Sequence, residues 1–144
     1  MDRSEIMSDY DVNDITFLGK GMKFPPQINK ATGRFMTSSE KENIKESIYL
    51  ILMTQKTERF MRPDFGSSIM QYTFIDTNSS VLTMMSRNIR EDIASNEPRV
   101  ENVTVNIDPE VKKGCLIVNI DYTIAAENTK DNLVFPFYLN AAAE

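Results

Sequence analysis

The spacing of apolar residues along this chain changes from a helical period to a strict alternation at about residue 100. In the first half, four apolar positions recur at helical spacing and predict a first helix. They are Ile44, Ile48, Ile51 and Leu52. Tyr49, Leu50 and Met53 widen this stripe, so we expect the helix to be sandwiched in the core or covered in part by another subunit. Thr37-x-x-Glu40 and Ser39-x-x-Glu42 are possible capping boxes, which places its start within one turn.

A second helix is predicted from Asn78 or Ser79 to Asn96. Its apolar positions, with Val81 beside them, form a core face that consists of Leu82, Met85, Ile89 and Ile93. Its outer face is expected to carry Arg87, Arg90, Glu91 and Asp92. Pro98 ends the helix, because the residue before a proline is disfavoured in the helical region.

The remainder of the chain has the alternating pattern of strands. Apolar and polar residues alternate from Val103 to Asp108, and a turn is predicted from Pro109 to Gly114. A second alternating row runs from Leu116 to Ile124. A polar loop is then expected from Glu127 to Asn132.

The last predicted strand runs from Leu133 to Leu139 and contains Pro136. Because proline cannot donate a hydrogen bond to a ladder, we expect this strand at a sheet edge or with one free side. The sequence therefore predicts an α+β fold, with two main helices packed on a mainly antiparallel sheet of three or more strands.

The N-terminal part is expected to form an irregular arm. Paired glycines and prolines occur in Gly19-Lys20-Gly21 and Phe24-Pro25-Pro26, and a turn is predicted at Thr32-Gly33. We predict a flexible segment over residues 1–14, a single domain over residues 15–139 and a frayed tail over residues 140–144.

Composition narrows the function classes. The chain has 144 residues, no histidine and one cysteine, Cys115. The absence of histidine excludes catalytic sites that depend on it. The single cysteine excludes an internal disulfide and a cysteine-rich zinc site. A net charge of -5 without a basic face argues against nucleic acid as a partner. The acidic N-terminus and the shortness of the apolar run Ile48 to Met53 predict a cytoplasmic protein that does not enter a membrane.

Paired carboxylates are the one enzymatic option among the 21 acidic residues. A glycoside hydrolase needs two carboxylates across a cleft, one of them with a raised pKa. Most candidates fall on predicted solvated helix faces or in polar loops, which favours a protein without a catalytic site. The candidates are Glu40, Glu42, Glu46, Glu58, Asp64 and Glu97.

Two arginine-containing stretches remain. The first is Glu58-Arg59 followed by Arg62-Pro63-Asp64-Phe65-Gly66, which holds two arginines, an acid pair, a proline and one aromatic residue. Arginine suits multi-donor ion pairs that fix one surface against another. The second is Glu97-Pro98-Arg99, where an extended backbone would put Glu97 and Arg99 on one side as a preorganised pair. The alternative for the second stretch is a helix stop with two solvated charges.

Taken in order, these motifs resemble the small baseplate-wedge and sheath-initiator family of contractile phage tails, type VI secretion baseplates and related injection particles. The resemblance covers roughly residues 15 to 139, and Thr57 departs from it because the family usually has glycine there. The matching residues are Gly19-x-Gly21-x-x-Phe24-Pro25, Ile44, Ile48, Ile51-Leu52 with Thr54, Glu58-Arg59, Arg62-Pro63-Asp64-Phe65-Gly66 and Glu97-Pro98-Arg99-Val100.

The resemblance implies a structural subunit without catalytic residues, metal or cofactor. It implies that Glu97, Pro98 and Arg99 bind larger wedge subunits, and that a sheath subunit adds a strand to the terminal strands. Tube or hub proteins are further candidate partners. The residues expected to contact the sheath are Leu133, Val134, Phe135, Pro136, Phe137, Tyr138 and Leu139. A second set with a partner-binding or structural role is Glu58, Arg59, Arg62, Pro63, Asp64, Phe65 and Gly66.

Two other function classes stay open. Some members of the family carry the name of tail lysozymes, so a peptidoglycan hydrolase is one alternative. A bacterial stress anti-adaptor shares this fold, so a regulatory binding protein is the other. The leading hypothesis is a subunit that assembles in the cytoplasm, joins the wedge core to the first sheath ring and initiates sheath assembly.

Overall fold

The computed structural model describes residues 19–74, 78–110 and 114–139. The predicted flexible segment 1–14 and frayed tail 140–144 lie outside these ranges.

Contacts divide the chain into two compact units, Met1–Asn43 and Ile44–Glu144. The single domain predicted over residues 15–139 stays a prediction.

The first unit contains two short strands. β1 (Lys20–Met22) pairs antiparallel with β2 (Thr37–Ser39). The chain between them reverses at the predicted turn, where the Gly33 N–H donates to the Asn29 carbonyl at 2.8 Å. The irregular arm therefore includes a short strand, which the glycine-rich sequence around Gly21 did not indicate.

The two predicted helices are present. α1 (Glu40–Met53) begins in the window that the capping boxes indicated. α2 (Ser79–Asn96) is capped by Asn78, whose side-chain oxygen accepts a hydrogen bond from the Val81 N–H at 2.9 Å. The side chains at the predicted core positions of α1 are almost wholly buried, as are three of the four in α2, and Leu82 is half-buried. The buried residues are Ile44, Ile48, Ile51, Leu52, Met85, Ile89 and Ile93.

The predicted solvated face of α2 is wrong at one residue, Asp92. Asp92 was expected on the solvated side with Arg87 and Glu91, but it is 5% exposed. It lies at the border of the apolar face, where it binds a preceding loop that the helical period alone does not reveal. A 3₁₀-helix, Ile69–Phe74, follows that loop and was not predicted.

A three-stranded antiparallel sheet completes the second unit, in the order β3 (Val100–Glu110), β4 (Cys115–Ile124) and β5 (Thr129–Tyr138). Together with the helices it confirms the α+β fold. The inward row of β4 is buried, as predicted, and consists of Leu116, Val118, Ile120, Tyr122 and Ile124.

The strand ends differ from the prediction. β3 continues through Pro109 and Glu110, and β5 already begins at Thr129, so both connections are shorter than expected. The reason is that ladder hydrogen bonds extend over polar residues whose composition by itself suggests a loop.

Pro136 lies in β5 at an edge of the sheet, as its missing N–H predicted. The Leu139 N–H donates to the Gly114 carbonyl at 2.9 Å, so these two residues are a hydrogen-bonded pair of the β4–β5 ladder. Because hydrogen-bonded and non-hydrogen-bonded pairs alternate, the backbone groups of Val134, Pro136 and Tyr138 face away from β4. Pro109 of β3 occupies an equivalent outward-facing position opposite Leu116.

Candidate partner-binding surfaces

The Glu97–Pro98–Arg99 junction connects α2 to β3. The Glu97 N–H donates to the Ile93 carbonyl at 2.9 Å and so closes the last turn of the helix. The Arg99 guanidinium donates from Nε to Glu97 Oε1 and from Nη2 to Oε2, both at 2.7 Å. Two parallel hydrogen bonds of this length form a bidentate pair, which fixes the guanidinium plane as well as its position.

Burial distinguishes the two partners of this pair. The Glu97 side chain is 3% exposed and the Arg99 side chain 30% exposed. Burial by itself raises the pKa of the Glu97 carboxyl, but hydrogen bonds from Arg99 and Ser47 and the charge of Arg99 outweigh it, so the net pKa is lowered. The hydrogen bond to Glu97 in turn raises the pKa of Arg99. The alternative of two solvated charges is therefore wrong for Glu97.

A second carboxylate, Asp131, anchors α1 to the sheet. The Lys45 Nζ atom of α1 lies 3.0 Å from Asp131 Oδ1, and the Tyr122 hydroxyl donates to Asp131 Oδ2 at 3.3 Å. Burial alone raises the pKa of Asp131, but these contacts and the Asn132 N–H lower it overall. The pKa of Tyr122 is raised most by its own burial, next by the charge and hydrogen bond of Asp131, and least by the charge of Glu97. Sequence reasoning missed this cluster, because its members lie far apart in the chain.

The loop from Thr54 to Gly66 is held by the C-terminal half of α2. Lys56 forms an ion pair with the buried carboxylate of Asp92. The other oxygen of Asp92 accepts a hydrogen bond from the Ser68 N–H at 3.2 Å. The Asn96 side chain donates to the Gly66 carbonyl at 3.5 Å. The last turns of α2 therefore connect this loop to the Glu97 junction, which immediately follows Asn96.

The two arginines of this loop contact Phe65, one of its two aromatic residues. The guanidinium carbon of Arg59 lies 4.5 Å from the centroid of the Phe65 ring, and that of Arg62 lies 5.7 Å from it. The Thr57 N–H donates to the Pro63 carbonyl at 2.7 Å. The arginines are thus stacked on one ring, a geometry that sequence spacing did not indicate.

The remaining predicted residues of the loop have local roles or exposed positions. Glu58 accepts a hydrogen bond from the Gln55 N–H at 3.0 Å, and Asp64 is exposed. Gly66 has φ +115°, and a Cβ atom placed there would collide with the Thr54 carbonyl. Thr57 has φ +75°, a left-handed backbone conformation that glycine adopts more readily than threonine.

The predicted sheath-contact strand combines buried and exposed side chains. Phe135 and Phe137 are buried, and Phe135 packs edge-on against Tyr49 of α1 at 5.5 Å between ring centroids. Val134 and Tyr138 are 53% and 61% exposed on the other face. An apolar groove runs along the inner face of this strand and is lined by Tyr49, Met53, Ile69, Met70, Phe135 and Phe137.

Within residues 19–74, 78–110 and 114–139, no three histidine, cysteine or carboxylate side chains cluster as a metal site. Over the same ranges, no helix is both long and apolar enough to span a membrane. Cys115 is a buried free thiol.

Comparisons with known proteins assign the family. The family described as "Baseplate wedge protein gp25" matches residues 38–129. Its curated member from Enterobacteria phage T4 is 29% identical over 82 residues, which cover 57% of this chain and 62% of that protein. The chain therefore spans less than two thirds of that relative.

Solved structures similar to this chain include the following two. One, from Geobacter sulfurreducens, carries the provisional name of a tail lysozyme; it is 39% identical with a TM-score of 0.69 and covers 76% of this chain and 100% of its own. The other is a chain in the baseplate of the anti-feeding prophage, with 21% identity, a TM-score of 0.58 and coverage of 88% and 90%. The second likeness shows a shared fold.

The family match includes the Thr54–Gly66 loop and the Glu97 junction, and it ends at the first residue of β5. Because it spans well over half of the chain, this protein belongs to the baseplate wedge protein gp25 family.

Proposed function

We propose that this protein is a structural, non-enzymatic subunit of a contractile-tail or injection-system baseplate. It joins the larger wedge subunits to the first sheath ring and initiates sheath assembly. It assembles in the cytoplasm and then remains in the baseplate of the particle. The observation that carries the proposal is the bidentate Glu97–Arg99 pair, with its buried carboxylate, within the part of the chain that matches the wedge family.

The wedge-binding surface consists of Glu97, Pro98 and Arg99. Two hydrogen bonds and the neighbouring proline hold the Arg99 side chain in one orientation, which lowers the entropy lost when a partner binds. A second set of loop residues extends this surface, because Asn96 connects the loop to the junction. It consists of Glu58, Arg59, Arg62, Pro63, Asp64, Phe65 and Gly66.

The sheath-binding surface is the outer edge of β5, from Leu133 to Leu139. The backbone groups of Val134 and Tyr138 point away from β4 and offer hydrogen bonds to an added strand. Pro136 removes one donor from the middle of this edge. The missing N–H disfavours pairing with unrelated strands and favours one register of an added strand.

A co-expression experiment tests the wedge contact. The double variant Glu97→Gln/Arg99→Gln removes both charges without leaving a buried carboxylate unpaired. We expect it to fold and to lose capture by the larger wedge subunits of the same particle. Arg87→Ala is the matched control, because Arg87 belongs to an exposed ion pair with Glu91 on α2. Normal capture of the folded double variant would contradict the assignment.

A peptidoglycan hydrolase is the second candidate, favoured by the provisional name of the Geobacter sulfurreducens relative. The pKa of Glu97, the buried member of the candidate carboxylates, is lowered, whereas a general acid needs a raised one. A zymogram with the purified protein separates the two functions. Clearing that depends on Glu58 or Glu97 would overturn the structural role.

A further inference from the structure

The tip of the Thr54–Gly66 loop carries two apolar side chains that are almost fully exposed. Phe60 is 94% exposed and Met61 86% exposed. They follow one another at the turn between Arg59 and Arg62, whose backbones are joined by a hydrogen bond of 3.4 Å from the Arg62 N–H to the Arg59 carbonyl. The fold therefore presents both side chains to solvent while its core is filled by other residues.

Backbone hydrogen bonds and two left-handed residues define the conformation of the loop that presents this tip. Ladder-like hydrogen bonds close its base, from the Ser67 N–H to the Thr54 carbonyl at 2.8 Å and from the Lys56 N–H to the Ser67 carbonyl at 3.2 Å. Thr57 and Met61 both have positive φ, at 75° and 70°, although neither is glycine. Such strain persists only where surrounding contacts hold it, and it is common at binding sites. A loop with a defined conformation loses little entropy when its tip is buried by a partner.

The charges beside the tip indicate the kind of partner. Arg59 and Arg62 are held on the Phe65 ring, and within the described ranges neither forms an ion pair with a carboxylate of this chain. Two guanidiniums next to an aromatic and a thioether side chain are complementary to an apolar pocket bordered by carboxylates. A membrane surface fits less well, because it needs a larger basic cluster and the chain carries a net charge of -5.

We propose that Phe60 and Met61 are the anchor by which this protein docks into an apolar, carboxylate-bordered pocket of another baseplate subunit. This inference rests on the proposed function and extends it, because the anchor lies at the loop tip and is separate from the Glu97–Arg99 pair. The arginines hold Phe65 and attract the acidic border, while the two apolar side chains enter the pocket.

Photo-crosslinking identifies the partner. Phe60 is replaced by benzoylphenylalanine in the full chain, and particles assembled with that chain are purified and irradiated. We expect one discrete product with a different subunit, in a peptide that contains aspartate or glutamate. A product with a second copy of this chain, or no product, would overturn the proposal. Phe60-dependent binding of the purified chain to phosphatidylcholine–phosphatidylserine vesicles would assign the tip to a membrane and overturn it too.

A pair of variants measures the contribution of the anchor. Phe60→Ser/Met61→Ser should leave the thermal unfolding midpoint unchanged, because both side chains are exposed, and lower incorporation into particles at least about tenfold. Met84→Ser is the control, since Met84 is 58% exposed on α2. If wild-type chain is missing from purified particles, the proposed function fails. If wild type is present and the double variant enters equally well, only the anchor fails.

Discussion

The Glu97 carboxylate and the Arg99 guanidinium are joined by two hydrogen bonds of 2.7 Å across Pro98, and the carboxylate is 3% exposed. Ser47 of α1 adds a hydrogen bond to the same carboxylate. The Glu97–Arg99 pair is thus tied to the core helix α1 through its buried carboxylate, so its geometry is set before any partner binds.

This pair predicts a pH-dependent stability. The pKa of Glu97 is lowered from its ordinary value of 4.5, so the unfolded chain binds the proton more readily than the folded chain. The stabilisation is therefore complete above about pH 5 and is lost as pH falls through the folded pKa. We expect the difference in unfolding free energy between wild type and Glu97→Gln, measured by urea denaturation, to shrink below about pH 4. A difference that stays constant from about pH 7 to pH 3 would contradict this assignment.

Thr57 is in a backbone conformation that favours glycine, with φ +75°. We expect Thr57→Gly to stabilise the protein by roughly 1 kcal/mol, because relief of left-handed strain outweighs the larger entropy of glycine in the unfolded chain. Differential scanning calorimetry should show a midpoint increase of about 3 °C. Thr83→Gly, in the second turn of α2, should instead destabilise by less than about 0.5 kcal/mol, because glycine has a lower helix propensity than threonine. Equal effects of the two changes would show that the strain is absent.

Asp92 is expected to contribute more to stability than its neighbour Glu91. Asp92→Ala removes the partner of Lys56 and leaves the Ser68 N–H without its acceptor, which should cost about 2 kcal/mol. Glu91→Ala removes only an exposed pair with Arg87 and should cost less than about 0.5 kcal/mol. Chemical denaturation of both variants tests the contrast. Similar losses would mean that the loop is not anchored through Asp92.

Val134→Pro tests which sheet edge receives a partner strand. The Val134 N–H faces away from β4, so the substitution should retain the fold and remove one donor for an added strand. We expect wedge capture to continue and sheath attachment to fail, as seen by electron microscopy of particles. Val105→Pro is the matched control, because its N–H faces the outer edge of β3. Loss of sheath with the control alone would move the contact to β3.

The helices could be predicted because their signals are local. The spacing of Ile44, Ile48 and Ile51 and the cap at Asn78 depend only on neighbours in the chain, and both helices lie where these residues indicated. Pro136 likewise marked an edge strand, because a missing N–H has the same consequence in any sheet. The predicted ends at Asp108 and Leu133 were wrong, because pairing with β4 decides where a strand stops and extends the two strands to Glu110 and Thr129.

The sequence alone determined the two helices, the α+β class and the motifs that carry the family resemblance. The tertiary structure decided which charges are buried and which pairs they form. Asp92 meets Lys56, and Lys45 meets Asp131 and Tyr122, only after distant segments pack together. Periodicity records the preferred face of each element, whereas the environment of a charge at the border of that face depends on the neighbouring element that covers it.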